Sequence, residues 1–235
     1  MKTVHHHSAA VLIVPDGALD GVLLGRYDET YPVKIFRNHY NFIGGNPHGD
    51  ISPLAALKRE LDEELNPSLV YSAETVGKII GSKEADVKTD DHSTGRVYVS
   101  SEKLDELKEE ILKTVKGYKD YLVEIDKDHV KTDKDLVFIL SIYLARINRE
   151  LFDEIKLEIE SGKQIINEGG SAVATPEELA SGKVRGSWGY STIVGDMIGI
   201  KVPEYGFIRV TSLGSAPRNF FAEYKSDFLY ERNPE

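Results

Sequence analysis

With 235 residues, 40% of them hydrophobic and 29% charged, the chain has the composition of an ordinary folded protein: one domain, or one domain with a large insertion. Its formal net charge of -10 at pH 7 argues against binding to nucleic acid or to an anionic membrane, both of which call for a basic surface, while phosphate ligands stay open through metal ions. The absence of cysteine excludes disulfides and thiol chemistry; with no apolar run of membrane-spanning length, a cytoplasmic location is expected.

His5, His6 and His7 stand ahead of a strand predicted over 8–14. Neighbouring strand residues point to alternating faces, which favours a polar strand end over a metal-binding trio. Pro15-Asp16-Gly17 and Asp20-Gly21 mark a turn, and a second strand over 22–27 completes an opening hairpin. Residues 38–43 then lead into Gly44-Gly45. Arg37 and His39 lie just before them, and Arg37 is a candidate contact for a substrate phosphate, set against plain solvent exposure.

Ser52 followed by Pro53 is a helix start, since Ser caps free N–H groups and Pro fits the first helical position. Leu54, Leu57, Leu61 and Leu65 recur at helical spacing, so a helix over 53–65 buries a leucine stripe. Glu60, Glu63 and Glu64 then share another face. Three carboxylates so placed repel one another unless a cation sits among them. Hard divalent ions such as Mg²⁺ take carboxylate and carbonyl oxygens and are completed by substrate phosphates. The bare backbone at Gly44-Gly45 can approach such an ion closely. The competing reading is a solvated acidic face on a surface helix, with Arg59 in a surface ion pair.

This segment resembles the signature box of the Nudix hydrolases: a glycine, five residues, a Glu, seven residues, Arg-Glu, an aliphatic residue, any residue, Glu-Glu, any residue, Gly and an aliphatic residue. Gly45, Arg59, Glu60, Leu61, Glu63 and Glu64 occupy the matching places, while Ile51 stands where the first Glu belongs and Asn66 where the closing Gly belongs. In the family that first Glu steadies the arginine, and Asp50, beside Ile51, is the residue placed to substitute. Asn66 is a mild change, because Asn tolerates the left-handed conformation that ends a helix.

Beyond the box, Val76, Ile79 and Ile80 suggest a strand, residues 95–100 another, and residues 102–121 carry helical spacing in Leu104, Leu107, Ile111, Leu112 and Val115. Residues 126–135 read as a charged loop. Residues 84–135 are expected to form an insertion outside the core, either a specificity or homodimer contact or a passive excursion. The apolar run 136–147 suits a central strand covered on both faces. A charged helix or turn over 149–159 follows, with Leu151, Phe152, Ile155 and Ile159 inward. Thr175-Pro176-Glu177-Glu178 is a further helix start. The turn 184–190, VRGSWGY, holds the only Trp and is either a ring-stacking surface or a glycine-rich turn, the latter favoured. Helical spacing over 193–200, a strand over 207–210 and an aromatic tail over 216–235 complete the chain.

The resemblance implies an α/β protein, a Nudix-type α/β/α sandwich around a mixed sheet with a helical insertion, all 235 residues forming one domain. It further implies Mg²⁺-dependent, or Mn²⁺-dependent, hydrolysis of a nucleoside diphosphate linked to another moiety. Glu60, Glu63, Glu64 and the Gly45 carbonyl would hold the metal; Arg59 and Glu168 would join the acids in catalysis; Arg37, Gly44 and Gly45 would meet the substrate. Such a small-molecule nucleotide enzyme needs neither nucleic acid nor a membrane as partner. The alternative is a non-catalytic nucleotide-sensing module on the same fold, which the Ile51 departure favours and the intact glutamates oppose.

Overall fold

A computed structural model describes residues 6–27, 29, 31, 33–46, 50, 52–65, 87–88, 98–99, 103–130, 135–163, 170–203 and 205–215. Strands β1 (His6–Pro15), β2 (Val22–Arg26), β3 (Tyr40–Asn41), β4 (Ile43–Gly45), β7 (Lys116–Ile125), β8 (Leu136–Ile147), β9 (Gly170–Ala174) and β10 (Ile208–Ser215) form one mixed sheet. A separate two-stranded ladder joins β5 (Val87–Lys88) to β6 (Tyr98–Val99). The helices are α1 (Pro53–Glu64), α2 (Leu104–Thr114), α3 (Lys127–Val130), α4 (Arg149–Glu160), α5 (Pro176–Ser181) and α6 (Tyr190–Ile198).

The sheet runs β10-β7-β8-β1-β2-β3, with β4 on the N-terminal half of β1 and β9 on β2. Only β1 and β8 run parallel, in register from His6 opposite Phe138 to Pro15 opposite Ile147. Alternation decides the layers. Ala9, Val11 and Ile13 of β1 face one cluster with Leu57 and Leu61 of α1, Leu107 and Ile111 of α2, and Phe152 and Ile155 of α4. Ala10, Leu12 and Val14 face the other, with Phe36, Leu179 of α5 and Ile193 of α6. The fold is therefore α/β, with helices on both faces of a mixed sheet, and β8 lies buried on both sides over 137–143, as its largely apolar run requires.

Local chemistry sets the helix starts. Ser52, extended at φ -161°, accepts from the Ala55 N–H at 3.1 Å, with Pro53 at the first helical position. Thr175 and Glu178 close a capping box on α5, and Gly182 ends it at φ 73°. Leu54, expected in the buried stripe, is exposed at 36%; the buried face of α1 runs instead through Pro53, Ala56, Leu57, Glu60, Leu61 and Glu64, leaving Leu54 at its edge.

The helix expected over 102–121 needs correction. Helical spacing ends at Thr114, and 116–125, read as helix continuing to Tyr121, is strand β7 between β8 and β10. Gly117 and the alternation of Tyr121, Val123 and Ile125 suit a pleat, and long-range pairing outweighs a spacing that happens to continue. Leu104, Leu107, Ile111, Tyr121, Val123 and Ile125 are all buried, so α2 and β7 belong to the core. The expected loop over 126–135 contains the single turn of α3. The strand expected at Val76–Ile80, His5, Ile51, Asn66, His92, Glu168 and the tail over 216–235 lie outside the described residues. No described helix is long and apolar enough to cross a membrane.

Candidate functional site

β4 ends in the two glycines; a side chain at the first meets backbone, and at the second it meets the carboxylate of Glu60. Gly44 sits at φ 145°, and a methyl there would collide with the Ala9 carbonyl and come within 2.5 Å of Ala10 Cα. At Gly45 a methyl would strike Glu60 Oε1 and lie 2.7 Å from its Cδ. The missing Cβ is thus what lets the Glu60 carboxylate rest on the strand end. One turn along α1, Glu64 Oε1 accepts the Gly44 N–H at 3.2 Å. Both carboxylates converge on the glycine turn while nearly buried, at 9% and 5% exposure.

Glu63 goes elsewhere. Each residue advances an α-helix by about 100°, so Glu60 and Glu64 fall within about 40° of each other, whereas Glu63 falls about 100° from Glu64. It stands instead one turn beyond Arg59, whose Nη1 donates to Glu63 Oε2 at 2.9 Å. The three-acid cluster read from spacing is a pair plus an arginine brace, and among the described residues no three His, Cys, Asp or Glu side chains could together hold a metal ion.

Arg59 ties the region together. Its Nε and Nη2 each donate to Asp50 Oδ2 at 3.2 Å, Nη2 donates to the Asn46 carbonyl at 2.7 Å, and Nη2 pairs with Glu60 Oε1 at 2.9 Å. Burial works against its charge, but Glu60 and then Glu63 outweigh that and hold its pKa above the ordinary arginine value. Asp50 thus takes two of the Arg59 donors on a single carboxylate oxygen. Ser8 Oγ donates to Asn46 Oδ1 at 2.6 Å, so the loop after Gly45 is fastened to β1 as well as to α1.

Arg37 lies apart from this cluster, in the turn before β3, with its Nε donating to the Tyr31 carbonyl at 2.8 Å. A cleft of about 450 Å³ also opens away from the box, lined by Glu124, Asp126, Phe207 and Arg209 among others; no box residue lines it.

One polar cluster was missed by sequence reasoning. On the α1 side of the sheet, Ser141 donates to Asp120 Oδ1 at 2.6 Å and lies 2.7 Å from His7 Nε2, all three at 2% exposure or less. A hydroxyl has one proton, so Ser141, donating to the carboxylate, must accept from His7; Nε2 therefore carries the ring proton. Burial and the nearby Asp120 charge push the Tyr143 phenol up to about 12. The cluster borders the site, because Asp120, Ser141, Ala9 and Gly45 are successive cross-strand neighbours on β7, β8, β1 and β4. The only advance signal was a histidine at a strand end.

A mixed α/β sheet ending in a glycine turn, with a two-carboxylate helix laid against it, is the class of protein that these elements define. The structure matches solved structures of Nudix and MutT proteins. One is a mutT/nudix family protein from Listeria innocua, 11% identical, with a TM-score of 0.41, covering 84% of this chain and 94% of that one. Another is the Nudix hydrolase RenU from M. smegmatis, 9% identical, with a TM-score of 0.36, covering 84% and 90%. No family model matches the chain, and no curated protein matches it. At these identities and scores the likeness carries no weight for function, which rests on the residues themselves.

Proposed function

We propose that the protein is a Nudix-type hydrolase that cleaves a nucleoside diphosphate linked to another moiety, with Mg²⁺ or Mn²⁺ as cofactor. The observation that carries this reading is the convergence of Glu60 and Glu64 on a turn whose first glycine has no room for a side chain and whose second receives the Glu60 carboxylate. The donor set suits a hard ion: two carboxylates, with the Gly45 carbonyl as a third oxygen donor, match Mg²⁺, which binds one or two carboxylates and completes its shell with water and substrate phosphate. When bound, the ion would screen the diphosphate and make a nearby water more acidic. Glu60 and Glu64 hold that position. Arg59 is a positioning residue that sets Glu60 against Gly45, and Glu63 completes its brace. Either buried carboxylate can take the proton of the attacking water, and Glu168 is retained as a further candidate for that step. The cytoplasmic setting belongs to the same proposal.

A second reading, a non-catalytic nucleotide sensor, is favoured by the near-complete burial of both carboxylates and by the outward turn of Glu63. A Mg²⁺-dependent panel of ADP-ribose, nucleotide sugars, dinucleoside polyphosphates and oxidised nucleotides, read for phosphate or nucleoside monophosphate, separates the two. Glu64→Gln is expected to abolish turnover with the fold intact. Full turnover in that variant would reject the assignment of Glu64, and binding without turnover across the panel would select the sensor.

A further inference from the structure

The turn at 184–190 and the segment before β3 build a second feature on the sheet face opposite α1. The turn is stitched to β3: Ser187 donates to the Tyr40 carbonyl through its N–H at 2.8 Å and its hydroxyl at 3.0 Å, and the Tyr40 N–H donates to the Arg185 carbonyl at 2.9 Å. This lifts Trp188 into a left-handed conformation, φ 50°, unfavourable for a bulky residue. Asn38, φ 61°, is the other described non-glycine residue in that region, and it too lies here, its Oδ1 accepting from Arg26 at 3.2 Å. Backbone strain concentrated in one place is a pointer toward function.

The strain presents aromatic surface. The Trp188 ring packs on Phe36, centroids 4.5 Å apart, and its indole N–H donates to Tyr31 Oη at 3.2 Å. Tyr31 in turn stacks on Tyr27 at 3.6 Å and 10°. Trp188 and Tyr31 are only partly buried, although much of the surrounding cluster is sealed.

The charges around these rings are unusual for this chain. It carries 39 acidic and 29 basic residues, yet among the described residues no carboxylate pairs with Arg26, Lys34, Arg37 or Arg185. Arg59, Arg149 and Arg209, by contrast, all hold acids. Arg37 reaches the Tyr31 carbonyl, and Arg26 lies over the Tyr40 ring at 5.9 Å. Cations left without acids beside partly open rings are the recognition chemistry of a planar heterocycle bearing phosphate: the rings stack, and guanidinium forks grip phosphate oxygens.

We propose that Trp188 and Tyr31, with Arg37 and neighbouring cations, bind the base and an adjoining phosphate of a single nucleotide. A polynucleotide is disfavoured by the overall charge. The face also lies at the box end of the sheet. Phe138, 6.3 Å from the Trp188 ring, pairs with His6, on the same end of β1 where Ala9 pairs with Gly45. Its role as the base subsite of the hydrolase rests on the function proposed above; nucleotide binding there does not.

Trp188 is the only tryptophan, so its fluorescence reports on this face alone. Titrating the full-length protein with AMP and with ADP-ribose is expected to give saturable quenching that inorganic phosphate and pyrophosphate do not reproduce. Arg37→Ala should weaken the midpoint about tenfold, the scale of one charge-assisted hydrogen bond. Where the wild type turns over substrate, Trp188→Phe should raise KM with kcat within about twofold. No saturable quenching by either nucleotide overturns the proposal, as does equal quenching by phosphate alone or affinity that climbs with oligonucleotide length. Quenching without hydrolysis supports this face and removes the enzyme reading; hydrolysis without quenching does the reverse.

Discussion

Arg59 and Arg37 stand on opposite sides of the sheet and show how charge is divided across it. Arg59 is consumed: Asp50, Glu60 and Glu63 and a backbone carbonyl all take its donors. Arg37 meets one carbonyl and no described acid. On the α1 side the cation serves the carboxylates, fixing Glu60 at the strand end and drawing Glu63 to itself. On the other side cations stand beside aromatic rings, an arrangement that suits an anion arriving from solution.

The sharpest way to break the acidic side is Gly45→Ala. The added methyl has nowhere to go but into Glu60, so Glu60 must leave the strand end. We expect loss of any Mg²⁺-dependent turnover and about 1–3 kcal/mol of destabilisation, the usual range for overpacking, measured by urea unfolding. An alanine variant as stable and as active as the parent would remove the cradle from the argument. Next comes Arg59→Lys, which keeps the charge and loses the fork. Since Arg59 is partly exposed, about 1–2 kcal/mol is expected rather than the full cost of breaking a buried pair. Asp50→Asn should cost much less in the Arg59→Lys background than alone. Simple additivity would show that Asp50 does not stand in for the missing box glutamate.

These residues differ in how far the chain announced them. Gly45, Arg59, Glu60 and Glu64 were legible because they lie within 20 positions and one helix sets their spacing. The outward turn of Glu63 was not, because i, i+3 and i+4 look alike until Arg59 claims one of them. The His7 cluster was invisible for a different reason: His7 and Ser141 are 134 positions apart and meet only because β1 and β8 run parallel. Strand β7 was misread for the same cause, since its identity comes from partners on β8 and β10 rather than from its own spacing. The tie between Trp188 and Tyr31 spans 157 positions. Local periodicity carries helices and the motifs on them; sheet neighbours and what they bring together come from pairing.

Ser141→Ala tests such a pairing. It leaves Asp120 and His7 each short of a buried partner, and about 1–3 kcal/mol of stability should go with it. Because the cluster borders Gly45 through Ala9 alone, any change in Mn²⁺ affinity should be smaller than that caused by Gly45→Ala. A larger change would make the cluster part of the metal site.

The smallest expected effect lies on the basic side. Lys183, near Tyr40, is the neighbouring cation that does have an acid, Glu178, which accepts its ammonium proton at 2.5 Å. The Lys183 hydrogen bond, and then the Thr175 N–H, hold the Glu178 pKa below the ordinary carboxylate value. A carboxyl whose pKa is lowered by folding stabilises the protein above its unfolded pKa, and the contribution disappears as pH falls through the folded value. Glu178→Gln keeps an acceptor for the capping box but drops the ion pair. It should cost about 0.5 kcal/mol at pH 7, since the pair is largely exposed, and nothing once the acid itself is protonated. Comparing urea midpoints at pH 7 and pH 3 tests the sign. The same change releases Lys183 into a region whose other cations meet no acid among the described residues, so AMP quenching of Trp188 should tighten slightly, and a weakening would show that the basic face does not act through its charge.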